Sequence, residues 1–472
     1  MTRCTWFAMG LALLLAGCSD EDEGDECVLG TGEGCEGGLI CEPVEGSDVP
    51  QCVAPILIEG RVYDATTDKG IKGATVVALD ANGSARTTVV TTKDDGTYSL
   101  PVLATRKADG TMAATLQVTL RVSAAGYSTF PLPPRTALPI DVDKAVAKDG
   151  VLVVQNAATD VALLPLAGGG AGLGTIIGTV DTGDPKALSP GGVLVVAELG
   201  GKAASTAVSD TAGDFTLFNV PAGTVKLGGY RAGINVTPAD VAVQGDVVKD
   251  VKLLATDQGL ATVTGSVSLV NAPGDAVTTV LLVVDSTFDE ATKRGESPAG
   301  MRADGVTSSF TIKDVSPGKY VVLAAFENDR LVRDPDQTIG GTAIVRITVA
   351  GGTQDTGTGF KVTGALAVIS PGADDMEVIK TTDPTFQWED DSSEDGYEVR
   401  VFNALGEKVH ENLSIPKVTG ANVSYTWTGA SLQPGMIYQF RAVSWRDKKG
   451  GTKTYISATE DLKGVFRYQP GS

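Results

Sequence analysis

Hydrophobic and polar residues alternate along most of this 472-residue chain, in short runs that stop at Gly, Pro or Asp. A period of two is the mark of strands with one buried face. The clearest runs return three times in the same order. Each copy opens on a strand that carries a glycine: "ILIEGRVYD", "TIIGTVD", "TVTGSVS". An apolar strand follows: "GATVVALD", "GGVLVVAEL", "TTVLLVVD". Next comes a hairpin in which Tyr98/Leu100, Phe215/Leu217 and Phe310/Ile312 stand two apart, and a last alternating strand closes the copy. Asp-Gly and Ala-Gly ahead of the hairpin strands predict tight turns. About seven short strands per hundred residues predict an all-β chain, a string of antiparallel Greek-key β-sandwiches. The copies are bounded at 56–166, 174–255 and 261–363, with an insertion in the third around "DSTFDEATKRGESPAG". The run "LAGGGAGLG" between the first two lacks the Lys-Ser/Thr of a phosphate loop and is expected to be a flexible linker.

From Leu366 the pattern changes to Phe386/Trp388 and Tyr397/Val399/Val401, and a fourth sandwich is expected over 366–468. Trp445 falls on the side of its strand turned away from Tyr438 and Phe440, which makes it the candidate exposed aromatic for binding. Between two strands lie Glu389, Asp390, Asp391, Glu394 and Asp395. Ca²⁺ takes about six to eight oxygen ligands, which such a turn could supply through Asp390, Asp391, Glu394 and Asp395. The spacing is not that of an EF-hand, and a solvated acidic turn is the preferred reading. The chain's one histidine, His410, is expected on an exposed hairpin.

The N-terminus is built differently. Residues 1–17 carry Arg3, an apolar stretch from Trp6 to Ala16 and then small residues, the anatomy of a secretory signal. That stretch is shorter than the ~20 residues that span a bilayer. The segment 18–26 is strongly acidic and should stay a solvated tether. Over the whole chain 58 Asp+Glu outweigh 38 Lys+Arg, a balance that argues against nucleic acid as a partner. Cys27, Cys35, Cys41 and Cys52 sit in a Gly-rich stretch, 27–52, too short to build an apolar core. In an oxidising compartment they read as two disulfides, with a zinc site as the competing reading. Three pairings are open. The alternating one, Cys27–Cys41 with Cys35–Cys52, is taken here.

Three resemblances add to this reading. Leu15-Ala16-Gly17-Cys18 resembles the lipobox of bacterial lipoproteins. The resemblance implies cleavage before Cys18, lipidation (palmitate among the acyl chains) on Cys18, and, with Ser19 next, sorting to the outer membrane. Whether the protein faces the periplasm or the cell surface stays open. "GRVYDATTDKGIKGATVVALD" followed by "TTKDDGTYSL" resembles the carboxypeptidase regulatory-like domain, a transthyretin-like (prealbumin-like) sandwich. Leu432, Pro434-Gly435, Tyr438 and Trp388 resemble structural positions of fibronectin type III domains. These families imply a fold and carry over no catalytic residue or cofactor. With one histidine and no GxSxG or HExxH motif, a non-enzymatic protein is expected. Two functions compete: a lipid-anchored scaffold for extracytoplasmic protein interaction or adhesion, and a carbohydrate-binding surface lipoprotein whose partner is a polysaccharide.

Overall fold

The alternating runs fold as strands, and among the described residues the helical pieces are three short 3-10 turns. The computed structural model describes residues 27–133, 135–270, 277–290, 294–326, 344–357, 359–448 and 452–471. The leader, Cys18 and the acidic tether lie outside the described residues. Among the described residues no helix is long and apolar enough to cross a membrane.

In the first sandwich Ile56–Asp64 buries every second side chain, and Ile56, Ile58 and Val62 are fully inside. They meet Val76, Ala78, Leu120 and Val122 from the facing sheet of Thr75–Leu79 and Gln117–Ser123. The opening strand has Thr97–Val102 antiparallel on one side. On its other side Val151–Val154 and Val161–Leu163 run parallel to it. The next two copies repeat this arrangement. Leu173–Asp181 lies between Asp214–Pro221, antiparallel, and Val247–Thr256, parallel. Ala261–Val270 lies between Ser309–Val315, antiparallel, and Gly352–Asp355 with Phe360–Thr363, parallel. The parallel pairs depart from a purely antiparallel expectation. The chain visits the other sheet before its closing strand returns, and so that strand enters from the same end as the first.

One contact explains the glycine in each opening strand. Gly60, Gly178 and Gly265 stand directly opposite Tyr98, Phe215 and Phe310. All three occupy inward positions where alternation calls for an apolar side chain. A Cβ on Gly178 would lie 2.6 Å from Cζ of Phe215 and 2.4 Å from the Val251 carbonyl oxygen. On Gly60 it would lie 2.0 Å from the Thr159 carbonyl, which also accepts the Tyr98 hydroxyl at 2.6 Å. The aromatic ring fills the space that the missing side chain leaves. This cross-strand pair marks the repeat more sharply than the alternation does.

In the last sandwich Phe386, Trp388, Tyr397 and Phe440 form the core, with the Phe386 and Phe440 rings stacked 4.7 Å apart. The Tyr438 hydroxyl accepts the Gln433 N–H at 2.8 Å, which pins the preceding turn.

The sandwiches are not separate beads. Ala404, Ile437 and Val465 of the last one join the core of the first. Leu194, Val196 and Val208 of the second join the core of the third. The glycine run expected to be a free linker is packed: Leu166 N–H donates to the Gly126 carbonyl at 2.8 Å, and a Cβ on Gly126 would lie 2.9 Å from Gly169 O. Glycines at positive φ let this run wrap its neighbour closely, and composition alone does not reveal that use.

Candidate functional site

The cysteine module is joined Cys27–Cys41 and Cys35–Cys52. Its hairpin, Ile40–Glu42 with Gln51–Val53, sets Cys41 opposite Cys52. Among the described residues, the sulfurs of Cys27, Cys35 and Cys52 form the one convergent set of potential metal ligands, within 4.8 Å of one another. The disulfide bonds already occupy them. The module docks on the first sandwich through a fully buried ion pair, Glu42 with the Arg106 guanidinium. Glu42 also accepts the Ala104 N–H at 3.1 Å, and Arg106 donates to the Ala54 carbonyl at 3.0 Å. Burial holds the Glu42 carboxyl above its usual range in spite of Arg106. No local pattern announces this pair, since the two residues are 64 positions apart and neither shows in the sequence that it is buried.

The acidic turn and Trp445 are neighbours: the Asp395 N–H donates to the Trp445 carbonyl at 2.9 Å. The candidate Ca²⁺ ligands Asp390, Asp391, Glu394 and Asp395 do not converge. Asp390 accepts the Tyr397 hydroxyl at 2.7 Å, and Asp391 accepts Ser393 N–H at 3.0 Å and the Ser444 hydroxyl at 2.7 Å. Asp395 accepts the Asp447 N–H at 2.9 Å. Glu394 is buried, and burial, with Asp390 and Asp391 near it, raises its pKa. Asp390, Asp391 and Asp395 fasten the turn, each through its own donors, and Asp391 and Asp395 tie it to the strand Ile437–Lys448. Trp445, expected to be exposed, is half-buried. Its ring lies against Gly396, its cross-strand partner, and carries the Lys453 ammonium 4.4 Å from its centroid. The ring is engaged rather than displayed.

His410 is half-buried in the hairpin of Gly396–Asn403 and Lys408–Pro416, rather than exposed. Its Nε2 is 2.7 Å from the Tyr425 hydroxyl, and its ring stacks on Tyr425 at 5.8 Å. Burial lowers its pKa.

The insertion of the third copy is where the sandwiches meet. Glu296 accepts Arg121 of the first sandwich at 3.1 Å and Thr206 of the second at 3.1 Å, and Arg121 itself bonds the Thr206 hydroxyl. Arg294 pairs with Asp461 of the last sandwich, and Ser297 bridges Ser84 of the first. Ala232 N–H of the second donates to Ala299 at 3.0 Å. Nearby, Arg302 pairs with Asp80. A second clasp lies at the far end of the first two sandwiches. There Asn219, at φ 56°, accepts the Gly126 N–H at 2.8 Å and donates to the Tyr127 carbonyl at 2.8 Å. Between the clasps a cleft of about 390 Å³ stays open. Sequence reading missed the clasps and the cleft. The one available signal was the insertion itself.

No family model matches the chain, and no curated protein matches it. Among solved structures the chain is similar to the Bacillus anthracis TIE protein at 9% identity, over 91% of this chain and 73% of that one, with a TM-score of 0.16. It is similar to a Streptococcal ancillary pilin at 12% identity, over 66% of this chain and 98% of that one, TM-score 0.18. It is also similar to the shaft pilin SpaA of Lactobacillus rhamnosus GG at 12% identity, over 44% of this chain and 98% of that one, TM-score 0.16. None of them superimposes on the chain as a whole.

Proposed function

We propose that this is a non-catalytic protein, lipid-anchored at Cys18 in the outer membrane, whose β-sandwiches over 56–166, 174–255, 261–363 and 366–468 form a scaffold for protein interaction or adhesion. The observation that carries the scaffold reading is how the charged side chains are used. Arg121, Arg294 and Arg302 engage Glu296, Asp461 and Asp80 across sandwich boundaries, where they hold domains together. The anchor reading rests on Leu15-Ala16-Gly17-Cys18, and the acidic run after it supplies a self-repelling spacer. A diacylglycerol with an amide-linked chain holds firmly where one acyl chain would not, at ~0.8 kcal/mol per buried CH₂. Metabolic labelling with palmitate tests the anchor in the full chain. Wild type should take up label and partition into detergent, and Cys18→Ala should do neither. Unlabelled wild type would overturn the reading.

A further inference from the structure

We propose that the cleft between the first and second sandwiches binds a segment of neutral glycan. Its walls are the outer faces of two sheets, and such faces, when packed together, normally close on apolar side chains. Here hydroxyls are interleaved with the apolar side chains: Thr75, Thr91 and Ser123 stand beside Val77 and Val89 on one side, and Thr216 and Asp214 beside Ile177 and Val208 on the other. The separation is fixed at both ends. Arg121 binds Thr206 and Glu296 at one, and Asn219 binds the backbone of Gly126 and Tyr127 at the other. The space of about 390 Å³ therefore does not depend on a ligand to prop it open.

The chemistry of the lining selects the ligand class. The Thr91 and Thr216 hydroxyls can both donate and accept, as a sugar's own hydroxyls require, whereas Thr75 and Ser123 give their protons to the Ser123 carbonyl at 3.3 Å and the Thr129 hydroxyl at 3.2 Å and serve as acceptors. Asp214 takes the Thr179 hydroxyl on Oδ1 at 2.7 Å, which leaves Oδ2 as an acceptor for a ligand hydroxyl. Asp210, Asp214 and Asp250 line the cleft against one cation, Arg121, whose charge Glu296 meets at 3.1 Å, and this acidic balance disfavours uronic acids, sulfated glycans and phosphates. Ile177 is 37% exposed and offers an apolar contact for the C–H face of a sugar ring. Phe215 is turned into the core, so no aromatic platform adds to this, and binding should be weak with fast exchange. The inference is independent of the lipid anchor, and its failure would leave palmitate labelling of Cys18 unaffected.

Saturation-transfer NMR on the full chain, held in a detergent without a sugar headgroup, tests it. The probes are maltotetraose, cellotetraose and chitotetraose, with tetragalacturonate as the anionic comparison. At least one neutral tetrasaccharide should receive saturation, and tetragalacturonate should receive none. Ile177→Arg, which fills the cleft from an exposed position, should abolish the signal. Thr91→Arg, on the opposite wall, should do the same and serves if Ile177→Arg does not fold. Melting of either variant should match wild type. Absence of transfer to all three neutral probes, equal transfer to tetragalacturonate, or a signal that survives both substitutions would leave a hydrated interface only and overturn the proposal.

Discussion

At the scale of single residues, a methyl group on Gly178 would fall within 2.6 Å of the Phe215 ring and 2.4 Å of a carbonyl oxygen on the other side. Neither neighbour can retreat, because one belongs to the core and the other to the parallel strand. Gly178→Ala should therefore destabilise the second sandwich by about 1–3 kcal/mol, the usual cost of overpacking, read from the denaturant midpoint. Unchanged stability would show that ring and strand can shift. His410 gives a second test. As the chain's one histidine it yields a single imidazole C2–H titration by proton NMR. Burial lowers its pKa, and the midpoint should fall below the ordinary value of about 6.5. In the unfolded chain the same imidazole binds its proton more readily. Its contribution to stability is thus complete above about pH 6.5 and is lost as pH falls through the folded pKa. A midpoint at or above the ordinary value would refute burial as the controlling influence.

At the scale of elements, the cysteine module depends on what it docks against. Its hairpin is short, and the buried Glu42–Arg106 pair ties it to the first sandwich beside two backbone hydrogen bonds, Glu45 N–H to the Arg106 carbonyl at 2.8 Å and Arg106 N–H to the Pro43 carbonyl at 2.9 Å. Breaking a buried pair leaves an uncompensated charge, at a cost of about 3–5 kcal/mol. Glu42→Ala should approach that cost, with early amide exchange over residues 40–53 and both disulfides intact. Glu42→Gln, which keeps an acceptor near Arg106, should fall between it and wild type. Lys72→Ala, which removes an exposed pair with Asp94, should leave stability unchanged. Equal effects from Glu42→Ala and Lys72→Ala would mean that the module docks through backbone hydrogen bonds and apolar contacts without help from the ion pair.

At the scale of the molecule, repeated domains are expected to touch only their neighbours in sequence. Here the first sandwich shares its core with the last, and the insertion of the third reaches the other three. Small-angle scattering from wild type should give a compact particle. Because the ion pairs at the junction are half-buried, that shape should change little between ~0.1 and ~1 M salt. Arg294→Ala with Glu296→Ala removes two arms of the junction and should raise the radius of gyration and expose the glycine run after Leu166 to protease. A string-like wild-type profile would show that the sandwiches separate in solution. A compact double variant would place the cohesion in the shared cores instead.

The sequence by itself determined the strands, their inward faces, the threefold repeat and the chemistry of the cysteines. All of these rest on short-range signals: a period of two, turn residues, and glycines and aromatics at fixed places in the copies. Even the Gly–aromatic pairs were present in every copy, although their physical cause became visible only once the hairpin strand lay beside the opening strand. Tertiary structure alone decided the rest. Trp445 and the acidic turn looked available because alternation places both outside the core, and alternation does not register what a neighbouring strand lays over that outer side. The role of the insertion stayed hidden because Arg294 and Glu296 have partners 167 and 175 residues away, beyond the reach of any periodicity. The cleft lies between the sheet faces turned away from the first two cores, and no pattern along a single strand shows that those faces meet. A residue pattern records which side of its own strand a side chain occupies, whereas the packing of one sandwich on another depends on a few isolated charges and on shape, and these take effect only when the sandwiches meet.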